Sequence, residues 1–232
     1  MRNAFDAFER SIGITFKNKD LLTQAFLHRS YLNEHRTIDL DHNERLEFLG
    51  DAVLELVVTD FLYRRFADEN EGDLTAYRSA LVNTITLSRV ASDLKMGDYL
   101  LLSKGEARDT GRARQYILAN TYEAFIGALY LDQGYEAAKP FIERTLLPLT
   151  DEIVEKKLWQ DHKSHFQEKA QEKAGVTPSY ETLREFGPDH DKHFVVGVYL
   201  DEELAAEGEG KSKQEAEQEA ARKALIAKAW HL

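Results

Sequence analysis

The chain has 232 residues, 43% of them hydrophobic, enough for a core in one large domain or two small ones. It contains no cysteine, which excludes disulfides and Cys-ligated zinc and fits a reducing compartment. Acidic residues outnumber basic ones by 41 to 30, and the net charge of -11, averaged over the chain, disfavours a polyanion as partner.

The N-terminal MRNAFDAFERSIG reads as a short amphipathic helix without the apolar centre of a signal peptide. No run approaches the roughly 18 apolar residues of a membrane span. A soluble, cytoplasmic protein with no membrane contact is expected. Helical periodicity runs through 21–32, 43–66, 73–94, 116–132 and 135–156, with turn chemistry at Gly72, Gly97, Gly105, Gly111 and Gly134. Residues 1–156 therefore read as an all-α domain, followed by a linker at 157–161. From 162 to 232 the pattern changes. HKSHFQEKAQEKAG (162–175) is a helix closed by Gly175, with Pro178 shortly beyond. Strands are expected at 179–186, 193–200 and 204–210, the first two joined by a turn at GPDH (187–190). SKQE (212–215) has the form of a capping box and opens a last helix. The order α-β-β-β-α makes a small α+β second domain.

The stretch NERLEFLGDAVLEL (43–56) carries the first chemical signal. Wound as a helix, it places Glu44, Glu47, Asp51 and Glu55 within an arc of about 80°. Apolar residues flank that arc on both sides, so the helix is apolar nearly all round, as in a core or a subunit interface. Buried carboxylates need a cationic partner. No Lys lies in the stretch, and Arg45 points away from the stripe. DHNE (41–44) also has the form of a capping box, with Asp41 as N-cap and Glu44 reaching back. That would account for Glu44, but not for Glu47 or Asp51.

YILANTYEAFIGALYL (116–131) repeats the theme: it is apolar except for Asn120, Thr121 and Glu123. Asn120 and Glu123 share a face, and Gly127, one turn on, lets another backbone come close. If the two helices face each other, their oxygens converge. Oxygen ligands without Cys suit a hard divalent cation, Mg²⁺ or Mn²⁺, and such an ion suits phosphoryl chemistry. Geometry alone leaves open which acids bind it, and ranks Glu55 with the rest.

NERLEFLGDAVL closely resembles the signature of ribonuclease III, the double-stranded-RNA endonuclease. FLHRSY (26–31), EGDL (71–74), RSALVN (78–83), ILANTYEAFIGALYLDQG (117–134) and the C-terminal domain extend the resemblance over nearly the whole chain. It implies an all-α endonuclease domain followed by a small α+β double-stranded-RNA-binding domain, acting as a homodimer with Mg²⁺, for which Mn²⁺ can substitute. The implied reaction is phosphodiester hydrolysis in rRNA and mRNA processing, leaving a 5′-phosphate and a short 3′ overhang. Carried over residue by residue, the metal-site acids fall on Glu47, Asp51 and Glu123, with Asp51 and Glu123 also catalytic. Glu44 matches an acid near the scissile phosphate, and Glu71 one that lines the same valley. Glu55 matches no catalytic position. The family's second-helix acid is usually Asp, and here it is Asn120. The carbonyl of Asn120 can still ligate a metal, but one negative charge is lost, so weaker Mg²⁺ affinity is expected.

The C-terminal part, 160–232, has 10 Lys plus Arg against 15 Asp plus Glu, a net -5 that looks wrong for an RNA binder. Distribution matters more than the sum. Lys211 and Lys213 bracket a helix N-terminus, whose free amides favour phosphate. The resemblance puts Gln167 and Glu168 against ribose 2′-hydroxyls in a minor groove, and His190 in the next minor groove. It puts Lys211, Lys213 and Gln214 against phosphates across the major groove between. Two alternatives stand beside this reading: a non-cleaving double-stranded-RNA-binding relative, favoured only by Asn120, and a helical metal-storage or hydrolase scaffold, which the C-terminal domain argues against.

Overall fold

In a computed structural model, residues 5–108, 110–156, 159, 161–188 and 192–230 are described. They divide into two compact units, Met1–Trp159 and Gln160–Leu232.

The first unit is helical. α1 (Asp6–Ile12) ends at Gly13, whose φ of 69° is left-handed. The helix expected over 21–32 is two, α2 (Lys19–Ala25) and α3 (Arg29–Glu34). Leu27 leaves the helix between them to bridge Leu101: Leu101 donates to the Phe26 carbonyl at 2.9 Å, and His28 donates to that of Leu101 at 3.1 Å. α4 (Glu44–Arg65) follows. The helix expected over 73–94 divides into α5 (Glu71–Leu81) and α6 (Thr84–Asp93), because the Asn83 side chain accepts from Thr86 N at 2.9 Å and caps a new start. α7 (Arg112–Gln133) extends the expected helix at its N-terminal end. The last expected helix is α8 (Tyr135–Thr145) and α9 (Thr150–Glu155), separated by a 3-10 turn at Leu147–Leu149. Pro148 in that turn has no N–H to donate.

α7 is the centre of this unit. Eleven of its residues are buried, from Ile117 to Leu129. Phe8, Phe16 and Phe141 all pack on the ring of Phe125, with centroids 5.0–5.6 Å away. Burying each such side chain contributes about 1.5–3 kcal/mol before entropy is subtracted. The apolar-all-round pattern of 116–131 is thus a core helix in which Asn120 and Glu123 are exceptions. At the other end of the unit the Trp159 ring meets Tyr77 at 4.9 Å.

The second unit runs α10 (His162–Ala174), β1 (Ser179–Phe186), β2 (His193–Leu200), β3 (Glu203–Gly210) and α11 (Lys213–Ala227). The strands form an antiparallel sheet in the order β1-β2-β3. Its core joins Phe166 and Ala170 of α10, Val198 and Leu200 of β2, and Ala220, Ala221, Ala224 and Leu225 of α11. The alanines let α11 lie directly on β3. A Cβ on Gly208 would stand 2.2 Å from both the Ala216 carbonyl oxygen and the Ala220 nitrogen.

Candidate active site and nucleic-acid interface

The position of α4 is set at its first turn. Asn43 is buried; its backbone N–H donates to the Leu27 carbonyl at 2.9 Å and its side-chain amide to that of Ala25 at 3.1 Å. This replaces the capping box expected at 41–44. Asn43, not Asp41, is the N-cap residue, and its side chain makes no cap bond because it is committed to the core. Asp41 instead accepts from the neighbouring His42 N–H at 3.0 Å. Glu44 is left exposed, 3.7 Å from the Arg29 guanidinium.

Further along, α4 crosses α7 with glycine against glycine. A Cβ on Gly50 would lie 1.8 Å from the Glu123 carbonyl oxygen, and one on Gly127 would lie 2.1 Å from that of Leu46. Only residues without a side chain permit this approach. It brings Glu47 and Asp51 on α4 beside Asn120 and Glu123 on α7. The Asn120 side chain lies beside Glu47 and favours its charged form. Burial, followed by the charges of Asp51 and Glu47, pushes the Glu123 carboxyl up to about 8. Burial also raises Glu47, with Glu44 and Asp51 adding to it against the opposing effect of Asn120. Asp51 is raised by partial loss of solvent beside α7 and by Glu55, one turn away.

Among the described residues no ion pair reaches Glu47, Asp51 or Glu123. Nor do three His, Asp or Glu side chains already close on one metal-ligating point. The donor set nonetheless fits a hard cation: every reactive atom is oxygen, the charges repel, and nothing positive offsets them. Glu71 is not gathered in. It opens α5, which packs on the far part of α4 through Arg78 on Thr59, with Tyr77 on Phe66 just beyond.

The stripe also has a wet side. Glu44, Asp51 and Glu55 are exposed, and so are large apolar residues on a neighbouring face: Phe48 at 82%, Leu56 at 58% and Tyr63 at 73%. The all-round apolar pattern therefore has two parts. Leu46, Val53, Leu54, Val57 and Val58 fill the core, and Phe48, Leu56 and Tyr63 are bare.

In the second unit, Gln167 and Glu168 are exposed on α10 and line a shallow cavity of about 450 Å³ with Ser164 and Gln171. Ser212 caps α11 by accepting from Glu215 N at 3.2 Å, and Glu215 reaches back to the Lys211 N–H at 2.9 Å. Lys211, Lys213 and Gln214 are exposed around this start. His190 lies outside the described residues.

Two family models match the chain: Ribonuclease-III-like over residues 18–149, and Double-stranded RNA binding motif over residues 162–227. Ribonuclease 3 of Enterococcus faecalis is 48% identical over 213 residues, covering 92% of both chains. The chain belongs to the ribonuclease III family. Ribonuclease 3 of Geobacillus kaustophilus is likewise 48% identical, over 97% of this chain and 91% of its own length. Among solved structures, the ribonuclease III nuclease domain of Campylobacter jejuni superposes with a TM-score of 0.57 at 40% identity, over 62% of this chain and 96% of that one. A region of that domain is involved in dimer formation. As a member of the ribonuclease III family, the chain is a double-strand-specific endoribonuclease.

Three features of this ribonuclease III chain escaped the sequence reading. The Asn43 clamp has no local signal, because its partners Ala25 and Leu27, at and just beyond the end of α2, are distant in sequence. Gly50 was legible in principle as the counterpart of Gly127, a glycine inside an otherwise strong helix. The Arg29–Glu44 pair joins FLHRSY to the acid stripe, which chain spacing cannot reveal.

Proposed function

We propose that the chain hydrolyses phosphodiester bonds on both strands of an RNA duplex with Mg²⁺, or Mn²⁺ in its place, held by Glu47, Asp51, Asn120 and Glu123. The observation that carries this is the α4–α7 crossing, which gathers four oxygen-bearing side chains and, among the described residues, no ion pair to Glu47, Asp51 or Glu123. A bound divalent ion activates water and neutralises charge on the phosphate. The protein's part is to hold the donors. The Gly50–Gly127 contact fixes the helix spacing, and Asn120 stands beside Glu47 and favours its charged form. Asp51 and Glu123 serve as the catalytic carboxylates, with burial keeping bulk water from Glu123. Glu44, exposed beside Arg29, stands nearest the incoming strand.

The active form in this proposal is a homodimer. The bare residues Phe48, Leu56 and Tyr63 supply an apolar face on the helix that carries the acids. Two sites in one valley then cut the two strands, giving 5′-phosphates and short 3′ overhangs, in the processing of rRNA and mRNA in the cytoplasm. Glu71, remote from the other acids within one chain, joins a site by way of the second protomer. The domain limits in this reading are 1–156 for the nuclease, 157–161 for the linker and 162–232 for the RNA-binding domain. The latter uses Gln167, Glu168 and His190 in the minor grooves and Lys211, Lys213 and Gln214 on phosphates, reading A-form shape. Its acidic surroundings predict modest affinity with steep salt dependence.

The test is a long RNA duplex incubated with the protein, with Mg²⁺ or with a chelator, and resolved on a gel. Fragments are expected only with the metal, and Glu123→Gln should bind the duplex without cutting it. Cutting in chelator, or by Glu123→Gln, would overturn the site assignment.

A further inference from the structure

The start of α11 faces the sheet at Phe194, the second residue of β2. Two lysines meet the ring of Phe194 there: Lys192, just before β2, with its ammonium 5.7 Å from the centroid, and Lys213, the first residue of α11, at 5.6 Å. In the strand register Phe194 stands opposite Glu185 of β1. The Glu185 carboxylate grips both lysines, with one oxygen 2.7 Å from Lys192 Nζ and the other 3.2 Å from Lys213 Nζ. Both ammonium groups hold its carboxyl below the usual range.

A carboxylate shared by two ammonium groups has the chemistry of a phosphodiester in the same place. Each presents two oxygens that share one negative charge, and each accepts charge-assisted hydrogen bonds. Lys213 is one of the residues that the proposed RNA-binding surface puts against a phosphate. An RNA strand reaching Lys213 therefore meets an anion already seated.

We infer that Lys192 and Lys213, set around Phe194, form a two-lysine site for one RNA backbone phosphate, which the chain itself fills with Glu185 until RNA displaces it. Lys192 thereby becomes an RNA contact, and Glu185 a built-in competitor that lowers affinity for short or imperfect duplexes. The inference rests on the reading of 162–232 as an RNA-binding domain and goes beyond it in naming a residue that works against binding.

Two exposed ion pairs are each weak in water, so the competition is modest and salt-sensitive. The experiment uses the full chain in a buffer without divalent metal, with a fluorescent RNA duplex titrated at several salt concentrations. Glu185→Gln should bind roughly threefold to tenfold tighter than the parent at low salt, the gain shrinking as salt rises. Lys192→Gln should bind more weakly, with its salt slope shallower by about one. In the double variant the gain from Glu185→Gln should shrink. Glu181→Gln, on the same strand but opposite Gly197, is the control for net charge. The inference is overturned if Glu185→Gln binds no tighter than the parent, if Glu181→Gln gains as much, or if Lys192→Gln keeps the parent slope. Failure of the parent and all variants to bind the duplex would remove the RNA-binding reading itself.

Discussion

Gly50 on α4 and Gly127 on α7 meet backbone to backbone, and the acid site exists because they do: a Cβ on either would stand within about 2 Å of a carbonyl oxygen on the other helix, at 1.8 and 2.1 Å. The clash is with main chain, so no side chain can turn aside to relieve it. Gly50→Ala or Gly127→Ala should lower stability by about 3 kcal/mol. The check is the urea midpoint, read with the slope to confirm two-state unfolding. Such a variant should lose cleavage by more than it loses duplex binding, since the proposed metal donors separate while residues 162–227, which match the RNA-binding motif, are unchanged. An alanine variant with parental stability and activity would sink the account of how the site is held.

Glu123 makes the metal-free protein sensitive to pH. In the folded chain its carboxyl keeps its proton up to about 8, against an ordinary value of 4.5. Between those values the folded form binds a proton that the unfolded form has released. Stability is therefore greatest at the acid end of this window and falls as pH rises through it. The raised carboxyls of Glu47 and Asp51 act in the same direction. Melting temperatures in chelator should fall from about pH 5 to about pH 9, and Glu123→Gln should flatten the decline. Adding Mg²⁺ near neutrality should release protons from the parent and fewer from the variant. No proton release from the parent would count against Glu123 as a ligand.

On the proposed reading of the site, Asn120 tunes the metal affinity. It favours the charged form of Glu47 without adding a charge of its own, and an aspartate there would add one. Asn120→Asp should reduce the Mg²⁺ concentration for half-maximal cleavage several-fold and make the metal-free protein less stable at neutral pH. The readouts are a metal titration of the cleavage rate and a melt in chelator. Unchanged values in both would remove Asn120 from the site.

The bare face of α4 should be a subunit contact. Phe48 at 82% exposure is far more open than an isolated large apolar residue in solution favours, and Leu56 and Tyr63 continue the same helix surface. Phe48→Glu or Leu56→Lys should convert a dimer to a monomer in sedimentation, abolish double-strand cleavage and leave the helical circular dichroism intact. A variant that stays dimeric would place the interface elsewhere.

The elements with strong local periodicity were legible from the chain alone. α4, α7, α10 and β2 lie where spacing puts them, because each carries its own apolar pattern. The expected long helices at 21–32 and 73–94 were too long for different reasons. The first is interrupted by the Leu27–Leu101 bridge, whose partners lie far apart in sequence. The second ends where Asn83 caps α6, a local signal that the periodicity of its neighbours overrode. In the site, spacing placed Glu47 with Asp51 and Asn120 with Glu123 on shared faces. It could not say that the two faces meet, nor separate Glu55 from the rest. Meeting depends on Gly50 and Gly127 together, which is a property of two helices and not of either one.

The Asn43 clamp frees the segment in front of it. With Asn43 fastened to Ala25 and Leu27, the acids keep their register whatever happens between α3 and α4, and Arg36, Thr37 and Asp39 of that loop are exposed. This is where the enzyme should tolerate insertion, so an affinity peptide spliced after Arg36 should leave the register of the acids unchanged.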